Sequence, residues 1–195
     1  MNTIELVAAI LVLVSVYLST QEKIWAWPTA ILAVTLYALV FWQARLFAQV
    51  GLQVFFFSIS VYGWYYWLHG GVGRTELRVS RITAALAALS AVAWVAGTVL
   101  LWWVLVSFTE NPAMPGLDAG LSVASLIAQW LLSRKILENW LIWVAADVAY
   151  VGLFVSQKLY FTTVLYVVLT GLASKGYLDW RRSLPSEKRE GRSEK

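Results

Sequence analysis

Cysteine is absent from this 195-residue sequence, and charged residues are scarce. Without cysteine, the chain forms no disulfide and holds no metal through thiolates. Asp, Glu, Lys and Arg make up only 13% of the residues, whereas about 25% is usual in a soluble domain. A single histidine leaves few groups for metal binding or nucleophilic catalysis. The sequence therefore predicts no metal, no cofactor and no enzymatic activity.

Hydrophobic residues, by contrast, make up 60% of the chain and fall into seven long runs. A soluble fold of this composition would lack polar side chains to cover its surface, whereas lipid accepts an apolar exterior. The alternating polarity of a membrane β-barrel is missing, so helices are expected. We predict an all-α integral membrane protein with seven transmembrane helices, over roughly Ile4–Leu18, Ile24–Phe41, Phe47–Leu68, Ile82–Phe108, Leu117–Leu132, Trp140–Val155 and Phe161–Trp180.

Lysine and arginine are distributed unevenly among the predicted connections. If the C-terminus is cytoplasmic, only Arg45 and Lys158 lie outside, which follows the usual excess of basic residues on the cytoplasmic side. The pattern predicts a membrane protein with its N-terminus outside and a basic cytoplasmic tail over residues 181–195. This tail carries most of the net charge of +4, so that charge does not indicate nucleic-acid binding.

An internal repeat relates the two halves of the chain at an offset of 113 positions, the separation of Trp27 and Trp140. The register needs no gap, and it pairs the rare Arg45 with Lys158 as well as Gly63 with Gly176. A linker helix between two three-helix units gives both units the same orientation, and such parallel repeats are a known transporter architecture. The predicted units are residues 1–70 and 117–180, with a linker loop and linker helix over 71–116.

Asp147 lies in the middle of the sixth predicted span. Trp140, Trp143 and Asp147 are spaced i, i+3 and i+7, which places them on one helical face. Two indole rings and a carboxylate suit an organic cation, through cation–π attraction and charge. Alternatively, the tryptophans belong to an interfacial belt and Asp147 is a buried structural hydrogen-bonding group. An acid inside a membrane span is costly and is usually functional, so we favour the substrate site over the structural role for Asp147.

Four further polar residues are candidates for the substrate path. Gln53 in the third span, Gln129 in the fifth and Tyr166 in the seventh offer donors and acceptors for ribose hydroxyls or a carboxamide. They could equally serve as hydrogen-bonding links between helices. Asp118 precedes most of the fifth span, where it would either line an outer vestibule or cap the helix.

Three segments resemble the PnuC family of bacterial vitamin transporters. The first two are Leu52-Gln53-Val-Phe-Phe-Phe and the run from Tyr62 to Tyr65, and the third extends from Arg134 to Trp143. The family's W-x-x-W-x-x-x-N/D signature falls on Trp140, Trp143 and Asp147, and the resemblance covers the chain to about Arg182.

This resemblance implies a three-plus-one-plus-three arrangement of helices similar to SWEET-type sugar transporters. It also implies assembly as a homotrimer in the lipid of the bacterial inner membrane. It also implies facilitated diffusion of nicotinamide riboside, which a cytoplasmic kinase then traps by phosphorylation. Many riboside transporters of the family have Asn where this chain has Asp147, and an acid suits cationic thiamine equally well. We therefore expect a nicotinamide riboside uniporter, with a thiamine transporter of the same family as the alternative and a membrane interaction protein without substrate as the rival.

Overall fold

Seven α-helices account for most of the described chain. The computed structural model describes residues 3–43, 45, 47–108, 114–156, 158 and 160–184. Each predicted span corresponds to one helix, with ends that agree within three residues. The helices are α1 (Thr3–Thr20), α2 (Ala26–Gln43), α3 (Phe47–His69), α4 (Ala84–Phe108), α5 (Pro115–Ser133), α6 (Asn139–Ser156) and α7 (Tyr160–Ser183).

The apolar exterior of these helices requires a lipid environment. α4 is the clearest case, because none of its 25 residues is buried although Leu, Val, Ala and Trp cover all its sides. By length and composition, α1, α2, α4, α5 and α6 are able to cross a membrane. α3 and α7 have 23 and 24 residues and so are long enough, but aromatic residues in α3 and charged residues near the end of α7 lower their hydropathy.

Six of the helices form a closed ring. Along the chain, α1 packs on α2 and α2 on α3, while α5 packs on α6 and α6 on α7. Two further seams close the ring, where α1 meets α7 and where α3 meets α5. α4 packs on α5 and contributes no buried residue. The interior of the protein is therefore shared by α1–α3 and α5–α7.

Two glycines allow close approach of a tryptophan at positions 113 residues apart. A Cβ on Gly63 would lie 2.4 Å from Cη2 of Trp27, and a Cβ on Gly176 would lie 2.6 Å from Cε2 of Trp140. Each ring is 2% exposed, so neither can move away easily. Glycine is needed at both positions because any side chain would occupy the space that the ring fills.

Four buried tryptophans join the two seams at one end of the ring of helices. The tryptophan cluster consists of Trp27, Trp67, Trp140 and Trp180. Trp27 meets Trp67 edge to face at 5.2 Å, Trp140 meets Trp180 in the same way at 5.4 Å, and Trp67 lies 5.8 Å from Trp180. Such geometries are favourable for aromatic quadrupoles. The cluster is the core of this end of the protein.

The connection between α3 and α4 is anchored to the start of α6. Ser80 pairs with Ile136 as an isolated parallel bridge, in which its amide donates to the Lys135 carbonyl and its own carbonyl accepts from the Leu137 amide. The Glu138 carboxylate accepts a hydrogen bond of 2.8 Å from the Ile82 amide. α4 is thereby held against the second half of the chain.

The predicted basic tail begins as helix, because α7 continues through Arg181 and Arg182 to Ser183. Residues 185–195 of that tail lie outside the described residues.

Candidate functional site

A cavity of about 560 Å³ lies inside the ring of helices. Its volume falls within the range of about 300–1,000 Å³ that is usual for small-molecule sites. Apolar side chains form most of its wall, and a few polar groups point into it. Six of the seven residues predicted for the substrate site line this cavity: Gln53, Gln129, Trp140, Trp143, Asp147 and Tyr166.

Asp147 brings an unpaired acid to the cavity wall. It lies in the middle of α6 and is 4% exposed. The ion pairs formed by the described residues use Glu22 and Asp179 as their acids, so none of the described basic side chains neutralises Asp147. An intramembrane carboxylate without a counter-ion is costly. The site is therefore suited to a guest that brings a positive charge or a hydrogen-bond donor.

The two tryptophans beside Asp147 differ in how accessible their rings are. Trp140 is 2% exposed, and it is held between Gly176 and Trp180 within the tryptophan cluster. Trp143 is less buried, lines the cavity and packs on the edge of the cluster. The ring of Trp143 is therefore more accessible to a bound cation than that of Trp140, which packs against Gly176 and Trp180.

Aromatic residues that sequence reasoning did not assign to the site also line the cavity. Tyr150 lies 5.0 Å from Tyr166, which itself lies 5.1 Å from Phe154. Across the cavity, Tyr37 stacks on Phe41 at 5.8 Å. The repeat pairs Tyr37 with Tyr150, so their alignment was a usable signal for two equivalent walls of one site.

α5 provides hydroxyl and amide groups on another side of the cavity. Ser122, Ser125 and Gln129 line it, and the Ser125 hydroxyl donates to the Leu121 carbonyl of its own helix at 2.9 Å. Asp118 is exposed in the first turn of α5 and does not line the cavity. The residue at the N-cap is Met114, so Asp118 is not the helix cap either. Its carboxylate complements the helix dipole instead.

Glu5 is a second acid of the cavity, which sequence reasoning missed. It lies in the first turn of α1 and lines the cavity while remaining partly exposed. Its position close to the N-terminus concealed it, because acids in a first turn usually serve the helix dipole. The offset of 113 pairs Glu5 with Asp118, which was the available signal.

The described residues contain no group of three or more His, Asp or Glu side chains close enough to hold a metal ion. The groups that the cavity presents to a ligand are aromatic rings, hydroxyls, amides and the carboxylates of Glu5 and Asp147.

Apolar helices in a ring around a mostly apolar cavity with a few polar groups define a multi-pass membrane protein that carries a small molecule. A family model described as nicotinamide mononucleotide transporter matches residues 2–182. The chain belongs to this family, which is that of the PnuC transporters. It is a transporter of the inner membrane and not an enzyme.

Individual relatives agree with this assignment. The chain is 30% identical to the nicotinamide riboside transporter PnuC of Escherichia coli (strain K12), over 94% of this chain and 87% of the relative. It is 26% identical to the riboflavin/roseoflavin transporter RibM of Streptomyces davaonensis, over 90% and 83%. A crystal structure of the vitamin B3 transporter PnuC has the same fold, with a TM-score of 0.71 at 22% identity over 92% of this chain and 80% of that one. The fold and family are thus those of vitamin transporters.

Proposed function

We propose that this protein is a uniporter for nicotinamide riboside. The observation that carries the proposal is the buried, unpaired carboxylate of Asp147 on the wall of a cavity. Nicotinamide riboside contains a pyridinium cation, which supplies the missing positive charge. The relative from Escherichia coli that bears this vitamin in its name adds support. Riboflavin, named for the Streptomyces relative, is uncharged and leaves the acid unpaired.

The proposed binding mode follows from the distribution of groups in the cavity. The pyridinium lies against Trp143 and beside Asp147, where a desolvated cation–π contact contributes about 2 kcal/mol. Gln53, Gln129 and the Tyr166 hydroxyl supply donors and acceptors for the ribose hydroxyls and the carboxamide. Thiamine, whose thiazolium is also cationic, is the alternative substrate. It lacks the ribose for which these polar groups are available.

The proposed architecture has two parallel three-helix units, residues 1–70 and 117–180, joined by the linker loop and helix over 71–116. All seven helices cross the membrane in a SWEET-like arrangement. The matched environments of Trp27 with Gly63 and of Trp140 with Gly176 support this arrangement. So do the equal left-handed φ values of Arg45 and Lys158, 59° and 60°.

The proposed orientation puts the N-terminus outside and the C-terminus in the cytoplasm, so the tryptophan cluster lies at the cytoplasmic end. The distribution of lysine and arginine supports this orientation. One unit rocks against the other to open the cavity to each side in turn. We also propose a homotrimer and trapping of the vitamin by a cytoplasmic kinase, both of which rest on family resemblance.

A thermal-shift screen of vitamins on the purified protein tests the substrate, because a ligand that binds the folded state raises the melting temperature. We expect nicotinamide riboside to give the largest shift. Asp147→Ala and Trp143→Ala should each reduce it, whereas Glu76→Ala, which removes an exposed acid of the α3–α4 connection, should not. Undiminished binding in both cavity variants would remove the proposed site.

A membrane interaction protein without a substrate is the rival. It predicts that the polar residues of the spans are buried against other helices. The cavity inside the ring of helices, which Asp147 and Gln53 line, favours transport.

A further inference from the structure

One ion pair joins the two proposed units at the end of the cavity that holds the tryptophan cluster. Nζ of Lys135 lies 3.0 Å from Oε2 of Glu22. The two residues are 113 positions apart, so each is the repeat mate of the other. Residues at equivalent positions of two symmetry-related units can contact each other only close to the axis that relates the units. The Glu22–Lys135 pair therefore lies near the pseudo-symmetry axis of the two proposed units. Among the ion pairs of described residues, this one alone links the units, since the other two lie within α7.

Two indole hydrogen bonds surround the ion pair and follow the same symmetry. Nε1 of Trp67 in α3 donates to the carbonyl of Leu132 in α5, at 3.1 Å. Nε1 of Trp180 in α7 donates to the carbonyl of Ser19 in α1, at 2.9 Å. An offset of 113 converts one bond into the other. They cross the two seams at which the proposed units meet, α3 with α5 and α1 with α7.

These contacts form the floor of the cavity. Ser19 and Leu132, whose carbonyls accept the indole bonds, both line it. The helices of the two seams cannot separate at this end unless both indole bonds break. The ligand cavity and the contacts between units thus share the same residues.

Lys135 depends on Glu22 for its charge balance. It is 7% exposed, and its ammonium also lies 4.6 Å from the centre of the Trp67 ring. Glu22 is the acid that pairs with it among the described residues. A buried cation that loses its counter-ion is strongly unfavourable unless water reaches it. Removal of the Glu22 charge therefore favours any conformation in which this end is open to water.

We propose that Glu22, Lys135, Trp67 and Trp180 form the gate that separates the cavity from the cytoplasm. The gate is closed in this structure. Rupture of the Glu22–Lys135 pair and of the two indole bonds is the step that opens the site inward and releases the vitamin. This inference rests on the proposed function, because the gate controls access to the proposed substrate site.

The absence of cysteine permits a direct test of the gate. Ser60 is 1% exposed and lines the cavity, so a Ser60→Cys variant reports access to the site. The rate of its reaction with a small water-soluble thiol reagent is measured on the purified full chain. Glu22→Gln and Lys135→Gln should each raise this rate about tenfold, equivalent to about 1.4 kcal/mol in favour of the open form.

The double exchange Glu22→Lys with Lys135→Glu is the decisive variant. It restores an ion pair between the same two positions, so the labelling rate should return to that of the Ser60→Cys protein without gate substitutions. Asp179→Asn is the matched control, since it removes the ion pairs within α7 and leaves the contacts between units intact. If a charge variant does not purify as folded protein, Trp180→Phe tests the same gate, because it keeps an aromatic ring and removes the donor to Ser19.

Unchanged labelling in both single variants would overturn the gate. Faster labelling that the double exchange fails to reverse would also overturn it, since the effect would then reflect general loss of stability. Nicotinamide riboside is added in parallel, and protection of Ser60→Cys by the vitamin tests the proposed function separately. Gate variants that label faster without any protection by the vitamin would support the gate and contradict the proposed substrate.

Discussion

Gly176→Ala tests how the cavity wall is built. A Cβ at this position would lie 2.6 Å from Cε2 of Trp140 and 2.7 Å from two further atoms of the ring. Trp140 is 2% exposed and packs edge to face on Trp180, so the direction left open to it is toward the cavity. Alanine should therefore push the indole into the substrate site.

The magnitude follows from two opposing effects. Overpacking a core costs about 1–3 kcal/mol, and three ring atoms closer than 3.0 Å indicate the upper end of that range. Alanine in place of glycine inside a helix stabilises by about 1 kcal/mol. The net loss should be about 2 kcal/mol. Gly171→Ala, in the same helix with no atom within 4 Å of its Cβ, gains the helix propensity without the clash.

The assay compares the unfolding free energies of the two alanine variants in detergent, together with their affinity for nicotinamide riboside. Because the propensity gain is common to both, the difference between them isolates the clash and should be about 3 kcal/mol. Gly176→Ala should also bind the vitamin more weakly, whereas Gly171→Ala should not. Equal unfolding free energies would refute the packing of Trp140 against Gly176.

Two further predictions concern single polar contacts. Gln53→Leu removes an amide from the cavity wall while nearly preserving the volume of the side chain. Affinity for nicotinamide riboside should fall about tenfold, which is the effect of one lost hydrogen bond. A calorimetric titration that gives the same Kd as the unmodified protein would exclude Gln53 from the site. Glu138→Gln weakens the bond from the Ile82 amide, and unfolding should become easier by about 1–2 kcal/mol with unchanged vitamin affinity. A denaturation curve that coincides with that of the parent would show that this anchor of α4 is not stabilising.

The helices were predictable because each depends on local information. The apolar run of α4 can be recognised without knowledge of its partner, since none of its residues is buried and it is long and apolar enough to cross a membrane. Even the last predicted helix was misjudged only at its end, where Arg181 and Arg182 extend α7 to Ser183. Charged residues past the apolar run are compatible with helix once the chain has left the hydrocarbon.

The part of the cavity around Asp147 could be predicted from the sequence, because an acid inside a membrane span is costly and therefore rare. Trp140 and Trp143 could be predicted with it, because their spacing places them on the same helical face. Glu5 was missed because an acid in a first turn is ordinary. The packing of Trp140 was also hidden, because it depends on Gly176 and Trp180, residues far away in the chain. Spacing along one helix cannot reveal which ring faces remain free.

The ion pair of Glu22 and Lys135 belongs to the same class of long-range contacts. Both residues lie in short connections between helices, where charged side chains are common and do not by themselves indicate a contact. Their alignment at the offset of 113 gives them equivalent positions, but it does not reveal that the two positions touch. That information comes only from the way the six-helix ring closes.

The charge preference of the cavity is the most direct test of the central claim, that Asp147 recognises a cation. Nicotinamide riboside carries the pyridinium charge, and its reduced form has nearly the same shape without it. Two unit charges about 4 Å apart attract by about 4 kcal/mol at an effective dielectric constant near 20, and desolvation offsets most of that.

We therefore expect the parent protein to bind the oxidised form at least about tenfold more tightly than the reduced form. In Asp147→Asn, which keeps the size of the side chain, the two Kd values should converge through weaker binding of the cation. An oxidised-to-reduced ratio of Kd that is the same in the parent and in Asp147→Asn would contradict the account.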